Sequence, residues 1–252
     1  MHRVLISSDA LQRGTAILAD PREIHHLVRV LRAKPGDSVE CFDGAGQRAW
    51  GTIGRCSARE VVIALSRCQQ DAAPSLHVTL AQALIRVERF EWAIEKATEL
   101  GVDRIVPLLT QRVTVRMRAE GADRKRARWE RIAREAAKQC GRARLPVVDA
   151  VQPFDVFAAT LEPGRGVILL ATLEVPTRPL AEALEPMGER VTLLIGPEGD
   201  FTRDEALVGQ RHGAILVSLG SHTLRAETAS LAALAMVRYQ QMIMVQQTRK
   251  GS

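Results

Sequence analysis

The chain has 252 residues, 46% hydrophobic and 25% charged, a composition suited to one large domain or a small one plus a larger. Its aromatics are few (five Phe, three Trp and one Tyr), which argues against sheets that bind single strands by stacking bases on aromatic rings. The net charge of +6 is concentrated: residues 112–144 hold 12 Lys/Arg against 4 Asp/Glu, leaving the rest slightly acidic at 23 against 25 (35 − 12 and 29 − 4).

In chain order, "DPREIHHLVRVL" (20–31) predicts a helix. Asp20 can cap it, Pro21 suits its first turn, and Ile24, Leu27, Val28 and Leu31 recur at helical spacing. "KPGD" breaks it. Short β runs follow at 38–42, 47–53 and 60–68, joined by Gly/Asp turns and closed by the polar linker "QQDAAP" (69–74). From there the pattern alternates. Residues 76–84 predict a strand and 87–100 a helix with Val87, Phe90, Ile94 and Ala97 inward. A strand at 104–109 precedes a helix at 123–140 that buries Trp129, Ile132, Ala133 and Ala136. "LPVVDAV" (145–151), 166–171, 191–196 and 214–220 read as buried strands. Such alternation implies a mostly parallel sheet covered by helices. The last helix, "ASLAALAMVRYQQMIM", is apolar on two faces: Leu231, Leu234 and Ala235 on one, Ala232, Met236 and Ile243 on the other. One face suits the sheet; the other suits a partner subunit or more core.

The basic stretch suits a polyanion, because each neutralised phosphate releases counterions. The alternative is a solvated helix face with pairs such as Glu130–Arg134. Cys41, Cys56, Cys68 and Cys140 show no C-x-x-C spacing, so no metal site is expected. The opening residues lack a signal-peptide core, and the longest apolar run (231–237) is too short to span a bilayer. A cytoplasmic protein with reduced thiols and no membrane partner is the reading.

Three glycine loops carry chemistry or imitate it. "GAGQRA" (44–49) fits a dinucleotide fingerprint, but β-like residues follow where a helix should, so a hairpin turn is the better assignment. "LLIGPEGDFTRDE" (193–205) runs from a strand through Gly196-Pro197-Glu198-Gly199-Asp200 to a helix start, with Thr202 and Glu205 in capping-box spacing. Gly196 and Gly199 would permit positive φ and close approach of a ligand to bare backbone. No lysine follows them, and Glu198 and Asp200 would repel phosphate, so the loop suits a neutral or cationic ligand. The alternative is a proline turn. "LGSHTLRAETA" (219–229) repeats strand, glycine, polar loop and helix, and "LLATLE" (169–174) is a third strand end. Three such ends would form a crevice at one sheet edge. Arg225 stands where the helix dipole is unfavourable to a cation, so it either pairs with Glu227 or Glu198 or meets an anionic ligand.

These motifs, with "EKATELGVDRIVPL", "AAKQCGRARLP" and "HLVRVLRAKPGD", resemble in order the ribosomal RNA uracil-N3 methyltransferases of the SPOUT superfamily, from about residue 25 to 230. The resemblance implies a PUA-like β-barrel domain over 1–70 that holds RNA. It also implies a SPOUT α/β domain over 75–246, with a deep trefoil knot and cofactor site at about 166–230. The cofactor would be S-adenosylmethionine, contacted by Leu170, Ala171 and Thr172, by Leu194, Ile195, Gly196, Pro197, Glu198 and Gly199, and by Leu219, Gly220, Ser221 and Leu224. The implied partners are small-subunit (16S) ribosomal RNA within the assembled subunit and a second copy of the chain. The sequence departs from the family at Asp200, where a second glycine is usual, at Ser221-His222-Thr223, at Ala226 and at Val87. Arg225, Glu227 and Glu198 are the candidate catalytic residues. Arg225 would donate to a uracil oxygen as N3 loses its proton, and Glu227, Glu198 or water would accept that proton. Arg29 and Arg32, three apart on a predicted helix, with Arg112, Arg116 and Arg142, are the candidate RNA contacts. A non-catalytic RNA-binding or ribosome-assembly protein, or a methyltransferase acting on another nucleotide, are the alternatives.

Overall fold

The computed structural model describes residues 2–115, 121–185 and 187–250. They form two compact units: Met1–Ala73 with Ala137–Leu145, and Pro74–Ala136 with Pro146–Ser252.

The first unit runs β1 (His2–Leu5), α1 (Ser8–Arg13), β2 (Thr15–Leu18), α2 (Pro21–Ile24), β3 (Ser38–Phe42), β4 (Gln47–Cys56) and β5 (Val61–Gln70). Its sheet has the order β1-β3-β4-β5-β2, with β1 parallel to β3 and every other pair antiparallel. Asp20 caps α2 by accepting from the Arg22 N–H at 2.8 Å, and Pro21 occupies the first turn as the sequence predicts. The helix then loosens into a π-turn, His25–Val30, and Arg32 lies beyond it in the left-handed region at φ 55°. Arg29 and Arg32 are therefore not successive-turn neighbours of one α-helix, though both are exposed. The "GAGQRA" segment is a hairpin turn between β3 and β4. Gly44 and Gly46 take positive φ, and Asp43 accepts from the N–H groups of Ala45 and Gln47. Arg144 donates to the Ala45 carbonyl and fills the space a Cβ at Gly46 would need. Arg3 donates to the carbonyls of Ala137 and Lys138 and to Glu40, while Lys138 pairs with Glu23 at 2.9 Å. Two cations of the basic stretch, Lys138 and Arg144, are thus spent inside this unit.

The second unit is α/β: β6 (His77–Ala83), α3 (Val87–Glu99), β7 (Arg104–Leu109), α4 (Ala122–Cys140, whose last turn belongs to the first unit), β8 (Val147–Val148), β9 (Gln152–Pro153), α5 (Phe154–Ala158), β10 (Val167–Ala171), β11 (Arg178–Pro179), α6 (Leu180–Ala183), β12 (Arg190–Ile195), α7 (Arg203–Arg211), β13 (Ile215–Ser218) and α8 (Ala226–Lys250). Its strands are all parallel in the order β11-β13-β10-β12-β6-β7-β8, with β9 also on β7. Apolar strands buried on both faces fit this arrangement. One face packs on Phe90, Ile94, Trp129, Leu234 and Val237, and the other on Phe154, Phe157 and Phe201. "LPVVDAV" is corrected to a two-residue edge strand whose Val147 is exposed, and Val87 faces outward rather than into the core. On α8 the buried side is Ala233, Leu234 and Val237, while Ala235 is exposed, so the predicted grouping of Leu234 with Ala235 is also corrected. Among the described residues no helix is long and apolar enough to cross a membrane.

Candidate active site

The carboxyl ends of β10, β12 and β13 lie side by side, because β12 and β13 each pair with β10. The loops that leave them enclose one cavity. Its lining includes Ala171, Thr172 and Leu173 from the first loop, Ile195 to Glu198 with Asp200 from the second, and Leu219, Gly220 and Leu224 from the third. The start of α8 closes it with Ala226 and Ala229. Nine of the thirteen residues implied for the cofactor line this cavity. Leu170 and Leu194 are instead wholly buried in the core on one sheet face, and Gly199 and Ser221 lie outside the lining.

The glycines of the second loop work differently from the sequence expectation. Neither Gly196 nor Gly199 takes a positive φ. At Gly196 a Cβ would sit 2.9 Å from the Phe201 nitrogen and 3.0 Å from the Asp200 carbonyl carbon, so the tight return of the chain leaves room only for hydrogen. The left-handed residue is Asp200, at φ 63°. Aspartate is among the side chains that tolerate this region. Its carboxylate then binds three donors. Oδ2 accepts from the Thr172 hydroxyl at 3.0 Å and the Leu173 N–H at 2.6 Å, and Oδ1 accepts from the Phe201 N–H at 2.7 Å. Asp200 staples the first loop to the second. The left-handed turn also accounts for the glycine expected there from the family pattern.

Other ties fix the same loops. Arg112 donates to the Gly199 carbonyl at 2.7 Å and to Glu174 at 2.5 Å. Its hydrogen bond to Glu174 raises its pKa further above the usual arginine value. Its guanidinium thus braces the loop. Thr202 and Glu205 form the predicted capping box at the start of α7, and Glu205 also accepts from the Gln111 N–H at 2.8 Å. Buried Gln82 donates to the Gly196 carbonyl at 3.4 Å and accepts from the buried Ser230 hydroxyl of α8. The third loop turns at Gly220, whose φ of 131° favours glycine.

The charged candidates separate. Glu198 is exposed on the cavity wall. Arg225 precedes α8, accepts the Ala229 N–H on its carbonyl, and carries an exposed side chain with no ion pair among the described residues. Glu227 is 8% exposed and pairs with Arg89 rather than with Arg225. Its Oε1 lies 3.3 Å from Arg89 of α3, and its Oε2 is buried without a hydrogen-bond partner among the described residues. Arg142 is half-buried, and Arg116 lies outside the described residues. Glu130 pairs with Arg126, not with Arg134. The sequence reading missed Arg89, Gln82, Ser230 and the stapling role of Asp200. Only Gln82, a lone amide in an apolar strand, left a signal.

Comparison with known proteins agrees with this geometry. The family model for an RNA methyltransferase domain matches residues 72–238, and one for an RNA methyltransferase PUA domain matches residues 18–63. A ribosomal RNA small subunit methyltransferase E from Synechocystis is 32% identical, over 94% of this chain and 77% of its own. The chain belongs to the ribosomal RNA small subunit methyltransferase E family. Two solved structures share its fold closely. The family member from Neisseria gonorrhoeae, bound to S-adenosyl methionine, has a TM-score of 0.81 at 28% identity, covering 90% of this chain and 92% of that one. A putative methyltransferase from Legionella pneumophila, in complex with the same cofactor, has a TM-score of 0.77 at 29% identity and the same coverage.

Proposed function

We propose that the protein methylates N3 of a uridine in small-subunit ribosomal RNA, with S-adenosylmethionine as methyl donor. The observation that carries the reading is the lining of the strand-end cavity. It combines apolar side chains (Ile195, Val217, Leu219, Leu224) with the carboxylates of Glu198 and Asp200, and among the described residues it includes no lysine or arginine. Those residues fit a ligand with an apolar ring system and a positive charge and disfavour a polyphosphate. The two relatives that hold S-adenosylmethionine support the same cofactor. Bound there, it supplies an electrophilic methyl group on a sulfonium sulfur.

The loops of Ala171–Thr172, Ile195–Glu198 and Leu219–Leu224 hold and orient it, with Asp200 and Gln82 fixing their spacing. The guanidinium of Arg225, with no ion pair among the described residues, donates to O2 or O4 of the uracil as negative charge spreads there. Glu227 is the proton acceptor in this reading, since a buried carboxylate oxygen without a partner is costly unless a ligand uses it. Glu198 contributes its charge at the cavity wall. Residues 1–70 would hold the RNA, Arg29, Arg32 and Arg142 supplying phosphate contacts, and 75–246 would carry the chemistry, with the knot that the resemblance implies. The exposed stripe Met236, Tyr239, Met242 and Val245 on α8 supports a homodimer.

Calorimetric titration of the full chain with S-adenosylmethionine and with ATP tests this. The first should bind and the second should not. Binding of neither would overturn the cofactor assignment and leave an RNA-binding protein.

A further inference from the structure

The sheet of the second unit carries a second cavity at its opposite edge, where the strands begin. On the face covered by α5 and α7, alternate residues point the same way. Toward the carboxyl ends these are apolar and buried: Ala81 on β6, Val106 and Leu108 on β7, Leu194 on β12. Toward the strand starts the same face turns polar, with His77 and Thr79 on β6, Arg190 and Thr192 on β12, and Arg104 on β7. These are direct neighbours in register: Arg190 opposite His77, Thr192 opposite Thr79, and Thr79 opposite Arg104. A cavity of roughly 280 Å³ lies over them, walled by the segment from Thr160 to Gly166 and including Arg165. The wall is fixed: at Gly166 a Cβ would sit 2.4 Å from the Arg190 carbonyl oxygen, so the segment packs directly on the start of β12. Along β12 this site is roughly 16 Å from the cofactor loop, five steps of about 3.3 Å.

Two features of the lining remain unspent. Arg104 is paired with Asp149 and Arg165 with Glu162, but Arg190 has neither an ion pair nor a side-chain hydrogen bond among the described residues. Arg190 on β12 and Arg104 on β7 flank β6 on either side, so a ligand over Thr79 has a guanidinium on each side of it. Thr79 is only 7% exposed and lines the cavity, yet its hydroxyl has no partner among the described residues, and neither has that of Thr192. Both side chains line the cavity, so both hydroxyls are open to it and free to donate to a ligand there.

We propose that this cavity binds a phosphate group, with Arg190 as its principal cation, Arg104 and Arg165 beside it, and the hydroxyls of Thr79 and Thr192 donating to its oxygens. Arginine forks match phosphate oxygens in both geometry and charge. The phosphate is either a diester of an RNA strand that reaches this edge or a free monoester. The site is separate from the proposed active site, and phosphate binding here does not depend on the methyltransferase reading.

The test uses the full chain, unmodified and as Arg190→Gln and Thr79→Val. Inorganic phosphate is titrated by calorimetry and a single-stranded ribo-oligonucleotide by fluorescence anisotropy over a range of salt. S-adenosylmethionine affinity, measured on the same samples, should be unchanged in both variants, which separates this site from the other. Affinity for inorganic phosphate, for RNA or for both should fall at least tenfold. A fall for RNA, with its salt slope reduced by about 1, identifies the diester. A fall for inorganic phosphate alone identifies the monoester. Arg190 is exposed, so Arg190→Gln decides by itself should Thr79→Val fail to fold. Both affinities staying within twofold in Arg190→Gln would overturn the proposal.

Discussion

Glu205 and Glu227 each stand in the first turn of a helix that leaves a strand-end loop, and each is buried, at 5% and 8% exposure. The positive end of a helix dipole welcomes a carboxylate at both places. Their partners differ. Glu205 is used to the full: Oε1 takes the Gln111 N–H at 2.8 Å, and Oε2 takes the Thr202 N–H at 2.9 Å and its hydroxyl at 3.2 Å. Glu227 has one oxygen 3.3 Å from Arg89 and the other with no hydrogen-bond partner among the described residues. The same residue type in the same local setting is a structural cap in α7 and an unsatisfied acceptor in α8. Satisfaction of hydrogen bonds, rather than burial or position, separates the structural carboxylate from the candidate reactive one.

That contrast can be broken by substitution. Glu227→Gln should lower turnover by about 10²–10⁴, the usual worth of a general base, while leaving the unfolding midpoint nearly unchanged. Glu205→Gln should do the reverse, costing about 2–3 kcal/mol in denaturant unfolding with turnover retained at low temperature. If both variants lose stability alike and turnover alike, the distinction fails. Arg225→Ala should reduce turnover by about 10²–10³ with S-adenosylmethionine affinity intact, since its side chain lies outside the cavity lining. Equal loss of cofactor binding would make it a binding residue instead. Asp200→Ala should weaken cofactor binding about 10–100-fold, the equivalent of about 1–3 kcal/mol for an acceptor that organises three donors. Thr172→Val removes only one of those donors and should weaken it about three- to tenfold. A Thr172→Val effect as large as that of Asp200→Ala would show that the hydroxyl contacts the ligand itself.

The three strand-end loops were legible because apolar strands, glycine breaks and the Thr202–Glu205 spacing are local signals. The parallel sheet covered by helices followed from the same alternation, whereas the PUA-like and SPOUT assignment rested on the family resemblance. What the loops do to one another was not legible. Asp200 reads as an anomaly in sequence, because its φ of 63° and its bonds to Thr172 and Leu173 arise only when β10 lies beside β12. Arg112 reads as one more cation in a basic stretch until Gly199 and Glu174 are brought to it. The π-turn after Ile24 buries Ile24 and Leu27 but leaves Leu31, expected on the same face, exposed, and it displaces Arg32, a shift that periodicity cannot register. The edge cavity escaped for a related reason. Its cations and hydroxyls are isolated in sequence at 79, 104, 190 and 192, and only the strand register lines them up.

The central claim is the chemistry at uridine N3. The direct measurement is transfer of an isotopically labelled methyl group from S-adenosylmethionine to unmodified small-subunit ribosomal RNA, offered free and as the assembled subunit, followed by nuclease digestion and mass spectrometry of the nucleosides. The account predicts label in 3-methyluridine, present with the unmodified protein and reduced at least a hundredfold with Arg225→Ala. Label in a different nucleoside, or no transfer to either RNA by a protein that binds the cofactor, would contradict it.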